Sequence, residues 1–296
     1  MNPKNTSGHP KKTYPKEVFF NGKWMPHDQA FVSVFDRGFM LGDGIYEVTP
    51  FYKGIPFRLE DHLDRLKYSL SQIEVDMEVD HIRTNMLEAV SRAGFEETDC
   101  AVYVQVTRGV APRTHFYPED IQPTLLLYAF AVQLEGFEIK QASVLVSNDL
   151  RWHRCDIKTI SLMANIRANN EARTAGLDEN LLLRHGYFTE GSHTSIFFVK
   201  NKTIYTHPEG PHILSGITRK AIIELCADLE INVIEECVHL DELVEVDEVF
   251  ITGTTTQILA VTSMQFDEKE VFNKAETGKI TRKLQQAFLQ ITRNEA

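Results

Sequence analysis

Arg154-Cys155-Asp156-Ile157-Lys158-Thr159, followed further on by Thr189-Glu190-Gly191-Ser192, carries more information about this chain than any other stretch of it. A lysine amine can condense with an aldehyde. A carboxylate can keep the nitrogen of an aromatic ring protonated, which makes that ring an electron sink. Two later segments, Ser215-Gly216-Ile217-Thr218-Arg219 and Thr252-Gly253-Thr254-Thr255-Thr256, have the glycine and hydroxyl content of phosphate-holding turns. An aldehyde, a ring nitrogen and a phosphate together describe pyridoxal 5′-phosphate. Each motif is weak by itself; in this order they support one another.

Each of these residues also has a plainer reading. A lone lysine is ordinarily a solvated surface residue, but Ile157 and Ile160 flank Lys158, and the stretch leads into a helix predicted over 162–175. Partial desolvation there would disfavour the ammonium and free an amine. Glu190 is placed in a turn after Tyr187-Phe188, where alone it reads as a loop carboxylate. Beside a ring nitrogen it would hold the proton by a charge-assisted hydrogen bond. Ser215 to Thr218 precedes the periodicity of Ala221, Ile222, Leu225 and Leu229, so it marks a helix start. Such an end binds anions through free N–H groups and the helix dipole, or is simply an N-cap. Gly253 to Thr256 follows a strand expected over 248–252 and forms a hydroxyl-rich turn. Arg65 offers a further cation, although alone it reads as a surface ion-pair partner. Arg113 and His115, in the loop from Thr107 to His115, can grip a carboxylate, with arginine supplying planar bidentate contact. A solvated basic loop explains them equally well.

Around these motifs the pattern is α+β. Asn21-Gly22 and Lys53-Gly54 read as the turns of two hairpins, 18–25 and 45–57. Leu63, Leu66 and Leu70 make one helical stripe, and Ile82, Met86, Leu87 and Val90 another. Strands are expected at 101–107 and 124–132, then at 142–147, around His185-Gly186 and Asn201-Lys202, and at 231–237, 248–252 and 258–261. A helix is expected over 216–229 and a last one from about Thr277. The domain reading is a flexible tail over 1–16, a small domain over 17–133, a linker over 134–140 and a larger domain over 141–296.

Composition narrows the class. The chain has 296 residues, 43% of them hydrophobic and 25% charged, as in soluble globular proteins. A formal net charge of −11 argues against broad nucleic-acid binding. Cys100, Cys155, Cys226 and Cys237 are widely separated, which makes a disulfide framework or zinc knuckle improbable and reduced thiols in a cytoplasm the expectation. The polar, lysine-rich start lacks the apolar run of a signal peptide, and no apolar stretch is long enough for a membrane span. The eleven histidines have no metal-ligand spacing, so no metal is expected. Gly42-Asp43-Gly44 lacks the third glycine of a dinucleotide fingerprint.

The ordered set Gly42-Asp43-Gly44-Ile45-Tyr46-Glu47-Val48, Asp64-Arg65-Leu66, Arg108 to His115, Cys155 to Lys158, Thr189 to Ser192, Ile213 to Thr218 and Gly253-Thr254-Thr255 resembles the fold type IV pyridoxal-phosphate enzymes, the aminotransferase class IV family. Within that family the likeness is to bacterial D-amino-acid transaminases. The resemblance implies a two-domain fold, with a small N-terminal α/β domain and a larger C-terminal domain containing a pseudo-barrel. It implies Lys158 as Schiff-base lysine and proton carrier, with Glu190 at the pyridine nitrogen. Arg65, Ile217, Thr218, Gly253 and Thr254 would hold the phosphate, and Leu214 would pack on the ring. Tyr46, Val48, Arg113 and His115 would bind substrate, the arginine–histidine loop coming from the second subunit of a homodimer. The implied reaction is ping-pong transfer of an amino group between a D-amino acid and a 2-oxo acid. Transamination of L-branched-chain amino acids or (R)-amines, or aminodeoxychorismate lyase activity, is the alternative within the family. Pro50 on the Tyr46 strand, and His193 where a small hydroxyl residue is more usual, are expected to reshape the pocket.

Overall fold

The computed structural model describes residues 14–293; most of the tail expected over 1–16 lies outside them. Strands β1 (Glu17–Phe20) and β2 (Lys23–Pro26) turn at Asn21 and Gly22, whose φ angles of 46° and 87° give the primed turn that matches strand twist. β3 (Gly44–Tyr52), β4 (Ile55–Pro56), β5 (Cys100–Thr107) and β6 (Thr124–Ala131) complete a six-stranded antiparallel sheet in the order β2-β1-β6-β5-β3-β4. The short α1 (Arg37–Leu41) precedes β3, and α2 (Leu59–Gln72) and α3 (Val79–Ala93) lie between β4 and β5. Val102, Val104 and Val106 of β5 point to one face, where they meet Leu63, Leu66 and Leu70 of α2 and Ile82 and Met86 of α3. Leu87 does not join this stripe and is 46% exposed. Five residues beyond Ile82 is about 140° around the helix, which takes it off the buried face.

The second sheet has nine strands: β7 (Gln141–Asn148), β8 (Glu179–Arg184), β9 (Tyr187–Gly191), β10 (Ser195–Lys200), β11 (Thr203–Thr206), β12 (Val233–Glu235), β13 (Glu248–Gly253), β14 (Gln257–Phe266) and β15 (Lys269–Asn273). Their order is β12-β11-β10-β13-β14-β7-β8-β9, with β15 on β14. The sheet curls into a half-barrel, since β9 ends the order yet the Gly191 N–H donates to the Thr194 carbonyl beside β10. Phe188 and Phe198 meet inside the curl, their centroids 5.0 Å apart. Alternate residues of β10 and β13, Phe197, Val199 and Phe250, face outward under α5 (Ile217–Asp228) and α6 (Lys279–Arg293), while α4 (Met163–Thr174) leads from the Lys158 segment to β8.

Two sequence expectations are corrected here. The strand expected over 231–237 is confined to Val233–Glu235, and that expected over 258–261 runs from Gln257 to Phe266 before turning into β15. That last turn uses Asp267 and Glu268 at φ 48° and 61°, a left-handed pair without the usual glycine signal.

The two sheets meet where the chemistry is placed. The Tyr46 N–H donates to the Lys158 carbonyl (2.9 Å) and the Ile160 N–H to the Gly44 carbonyl (3.1 Å), strapping the lysine segment to β3. Arg65 on α2 donates to the Ser215 carbonyl (2.7 Å), linking the first sheet's helix to the loop before α5.

Asp43 anchors the loop after β5. It accepts from Arg37 Nε (2.7 Å) and from Arg108 Nε and Nη2 (2.8 and 3.1 Å), and both arginines are buried. Arg37 in turn donates to the Thr114 carbonyl (2.9 Å), and the Arg108 guanidinium lies 3.5 Å from the Tyr117 ring centroid. Burial pushes the Asp43 carboxyl up, but the two arginines outweigh it and hold it below its ordinary value. This stability is therefore present above the unfolded aspartate pKa and is lost as pH falls through the depressed folded one. Asp43→Asn, which leaves two buried cations facing an amide, is expected to cost about 3–5 kcal/mol in urea unfolding at pH 7. A loss below about 1 kcal/mol would contradict the clamp.

Candidate active site

A cavity of about 520 Å³ opens between the Lys158 segment, α4, the β9–β10 turn, the start of α5 and the β13–β14 turn. Tyr46, Arg65, Lys158, Glu190, Leu214, Ile217, Thr218, Gly253 and Thr254 all line it. The sequence motifs, far apart in the chain, therefore meet around one space. Lys158 Nζ lies 4.4 Å from the Tyr46 ring centroid and has no hydrogen-bond or ion-pair partner among the described residues.

Glu190 lies inside β9, not in the turn expected for it. The strand continues to Gly191, which pairs with Leu181, and the turn takes Ser192 to Thr194. The glycine and hydroxyl run that suggests a turn starts one residue after Glu190. The carboxylate is buried, accepts the Leu214 N–H (3.1 and 3.2 Å) and is paired with Arg151, which also donates to Asp149 (3.0 Å). Burial pushes the Glu190 carboxyl up, opposed by Arg151 and the Leu214 N–H. Asp149, buried but held by Arg151 and Arg184, is kept at about 2. The chain Glu190–Arg151–Asp149–Arg184 is not legible in the sequence, where Asp149 and Arg151 resemble loop residues.

Arg65 is buried, not a surface ion-pair partner. Its Nε and Nη2 donate to Glu47 (2.9 and 2.6 Å), which also lies 3.0 Å from His62 Nδ1. Burial pushes the Glu47 carboxyl up, but Arg65 and His62 outweigh it and hold it well below the usual carboxylate range. Glu47 is legible in one respect: on β3 it points away from Tyr46 and Val48 toward the core, and a charge there requires a partner.

Three expected substrate residues do not reach the cavity within one chain. Arg113 and His115 are on the loop held by the Asp43 clamp and outside the lining. Val48 lies one pleat period beyond Tyr46, opposite Tyr103, and is not part of the lining. Cys155 does line the cavity, but burial pushes its thiol up to about 11, so it offers no competing thiolate.

Residues 44–264 match the family model for amino-transferase class IV. The chain belongs to the amino-transferase class IV family. It is 36% identical over 275 residues to a D-alanine aminotransferase of Bacillus licheniformis, covering 92% of this chain and 95% of that protein. It is 32% identical over 278 residues to a D-alanine aminotransferase of Staphylococcus aureus strain N315, covering 92% and 96%. Among solved structures it resembles the branched-chain amino acid aminotransferase of Escherichia coli (TM-score 0.86, 25% identity, 96% of each chain). It also resembles the T.th. branched-chain amino acid aminotransferase complexed with N-(5′-phosphopyridoxyl)-L-glutamate (TM-score 0.85, 26% identity, 96% of each chain). The class IV chain is thus a pyridoxal-phosphate-dependent aminotransferase of mixed α and β structure.

The residues present fit that cofactor. Lys158 supplies an amine, and Glu190 supplies a buried carboxylate on the same cavity. The N-cap Gly216 makes no side-chain capping bond, leaving the first N–H groups of α5 for an anion. A Cβ at Gly216 would stand 2.7 Å from Ser195 Oγ, so a larger residue at this helix start would have to displace that side chain of the cavity wall. Thr252 Oγ1, buried in the cavity wall, has no partner among the described residues.

Proposed function

We propose that this aminotransferase moves an amino group between a D-amino acid and a 2-oxo acid in a ping-pong cycle. The observation that carries the reading is the convergence of Lys158, Glu190 and the α5 N-terminus on one cavity, in a chain whose curated relatives are named D-alanine aminotransferases. When bound, pyridoxal phosphate supplies the electron sink that makes the α-proton of an amino acid removable. Lys158 carries that proton, its backbone fixed to β3 by the bond from the Tyr46 N–H. Glu190, kept in place by Arg151 and Leu214, holds the proton on the ring nitrogen. Arg65, the backbone of Ile217 and Thr218, and the Gly253–Thr254 turn, all on the cavity lining, would hold the phosphate, and Leu214 would pack against the ring. Tyr46 and the partner subunit's Arg113–His115 loop bind the substrate carboxylate, and Val48 follows Tyr46 on the same face of β3.

In this reading the loop acts on the neighbouring subunit of a homodimer. Phe31 (79% exposed), Phe39 (72%) and Phe116 (70%), together with Phe35, leave an apolar surface around the Asp43 clamp that supports burial by a second copy. Free cysteines at the four positions support a reducing, cytoplasmic setting. Among the described residues no helix is long and apolar enough to cross a membrane.

Subunit mixing tests both the trap and its origin. Arg113→Ala is expected to lower kcat/KM for amino acids on the order of 10–100-fold while affecting simple amines much less. Mixing Arg113→Ala subunits with Lys158→Ala subunits should restore activity, because each mixed dimer has one intact site. No restoration would mean that the arginine serves its own chain. Branched-chain L-amino-acid transamination is the second reading, the activity named for two solved structures of similar fold at 25% and 26% identity. Side-by-side assay of D-alanine and L-leucine separates the two.

A further inference from the structure

Gln257 opens β14 directly after the turn that ends β13, and it takes no part in the reaction described above. It pairs with Gly253 across the hairpin, is 1% exposed and has a φ of 62°. The left-handed residue that closes so short a loop is ordinarily glycine, which has no Cβ to clash. A buried glutamine in that conformation carries a backbone strain that its side chain has to offset. Both ends of the amide are engaged. Nε2 donates to the Thr254 carbonyl (2.8 Å), and Oε1 accepts from the Tyr52 hydroxyl. A carbonyl can only accept, so the Thr254 oxygen dictates which end of the amide faces it.

Tyr52 comes from the end of β3, in the other sheet, and is itself fixed before it meets Gln257. It is buried, its ring 5.8 Å from Phe57 and 5.0 Å from the Arg293 guanidinium. Arg293, on α6, is in turn paired with Asp99 (2.7 and 2.9 Å) just before β5. Burial pushes the Tyr52 phenol up, so the hydroxyl keeps the proton that it donates. The first sheet, the end of α6 and the β13–β14 turn are thus joined through one phenol.

What the glutamine holds is a piece of the cavity wall. Gly253 and Thr254 line it, and the backbone N–H groups of Thr254, Thr255 and Thr256 have no partner among the described residues. Successive free N–H groups in a tight turn make an anion cradle. The peptide unit is planar, its N–H opposed to its carbonyl. Fixing the Thr254 carbonyl toward Gln257 therefore aims the Thr255 N–H away from the glutamine.

We propose that Gln257, braced by Tyr52, is a positioning residue for the cofactor phosphate, acting through the Thr254 carbonyl to keep the Thr254–Thr256 turn in its anion-binding shape. The inference rests on the phosphate reading given above and adds the residue that orients it. A loose turn would have to be ordered at the moment of binding, and that ordering lowers affinity.

Absorbance titration of the full chain, freed of cofactor, with pyridoxal 5′-phosphate and with pyridoxal tests this without turnover. The ratio of the two dissociation constants reports the phosphate contact, whereas general damage to the fold would weaken both ligands. Gln257→Gly reaches the left-handed region freely and loses only the side chain, so its preference for the phosphorylated form is expected to fall on the order of 10-fold. Tyr52→Phe keeps the ring packing and should lower the preference about 3-fold. The double variant should lose no more than Gln257→Gly does, since the phenol acts through the glutamine. A Gln257→Gly protein that keeps the native ratio overturns the positioning role alone. So does one that loses affinity for both forms in equal measure. A native protein that binds pyridoxal as tightly as pyridoxal 5′-phosphate would instead overturn the phosphate reading.

Discussion

Lys158→Ala is expected to lower amino-group transfer by about 10⁴-fold, the upper end of what a positioned proton carrier contributes. The thiol and the two paired guanidinium groups on the cavity wall are poor replacements. The Cys155 thiol is pushed up to about 11, and the Arg65 and Arg151 guanidinium groups are committed to carboxylates. Because the Lys158 backbone, not its side chain, bonds to β3, the variant should fold and keep the cavity. A small primary amine added to the assay should then recover part of the lost rate, since it can diffuse to the vacated position. Borohydride treatment of the native holoenzyme should fix the cofactor to the Lys158 peptide, and in the variant should fix none. A variant that keeps substantial turnover without added amine would exclude Lys158 from the role.

Glu190→Gln should have the next largest effect, about 10²–10³-fold on the rate of α-proton removal, as for loss of one preorganised electrostatic contact. The amide retains the shape and can still accept the Leu214 N–H, so the loss measures charge more than packing. Cofactor affinity should fall far less than rate, because the α5 N-terminus, Arg65 and the Gly253–Thr254 turn are untouched. A larger α-deuterium isotope effect should accompany the slower step. Equal losses of rate and cofactor affinity would make Glu190 a structural support and not an electronic one. The result also bears on Arg151, whose positive charge would then lose one of its two carboxylates.

Much of this site is legible because its signals are local. Asn21-Gly22 and Lys53-Gly54 dictate their turns through left-handed backbone, and the Val102, Val104 and Val106 alternation fixes which face of β5 is buried. Ser215 to Thr218 can be placed at a helix start from the apolar period that follows. What escapes depends on contacts distant in sequence. Arg65 reads as a surface cation until β3 brings Glu47 beneath it, and Arg151 gains meaning only when β9 delivers Glu190. Glu190 itself is misplaced because a glycine and hydroxyl run marks the turn to within a residue or two, and the bulged β8–β9 pairing decides where the strand ends. The β14–β15 hairpin is hidden because Asp267 and Glu268 adopt left-handed backbone without the glycine that advertises it. Arg113 and His115 are legible as a carboxylate pair, but a single chain leaves them outside the cavity.

The half-reaction tests the central claim most directly. Purified holoenzyme, with no 2-oxo acid present, is mixed with D-alanine or with L-alanine while the cofactor absorbance and released pyruvate are followed. D-Alanine should convert the spectrum to the amine form and release one pyruvate per active site, and L-alanine should leave both unchanged. A spectrum that D-alanine does not alter, or that L-alanine alters instead, would contradict the account.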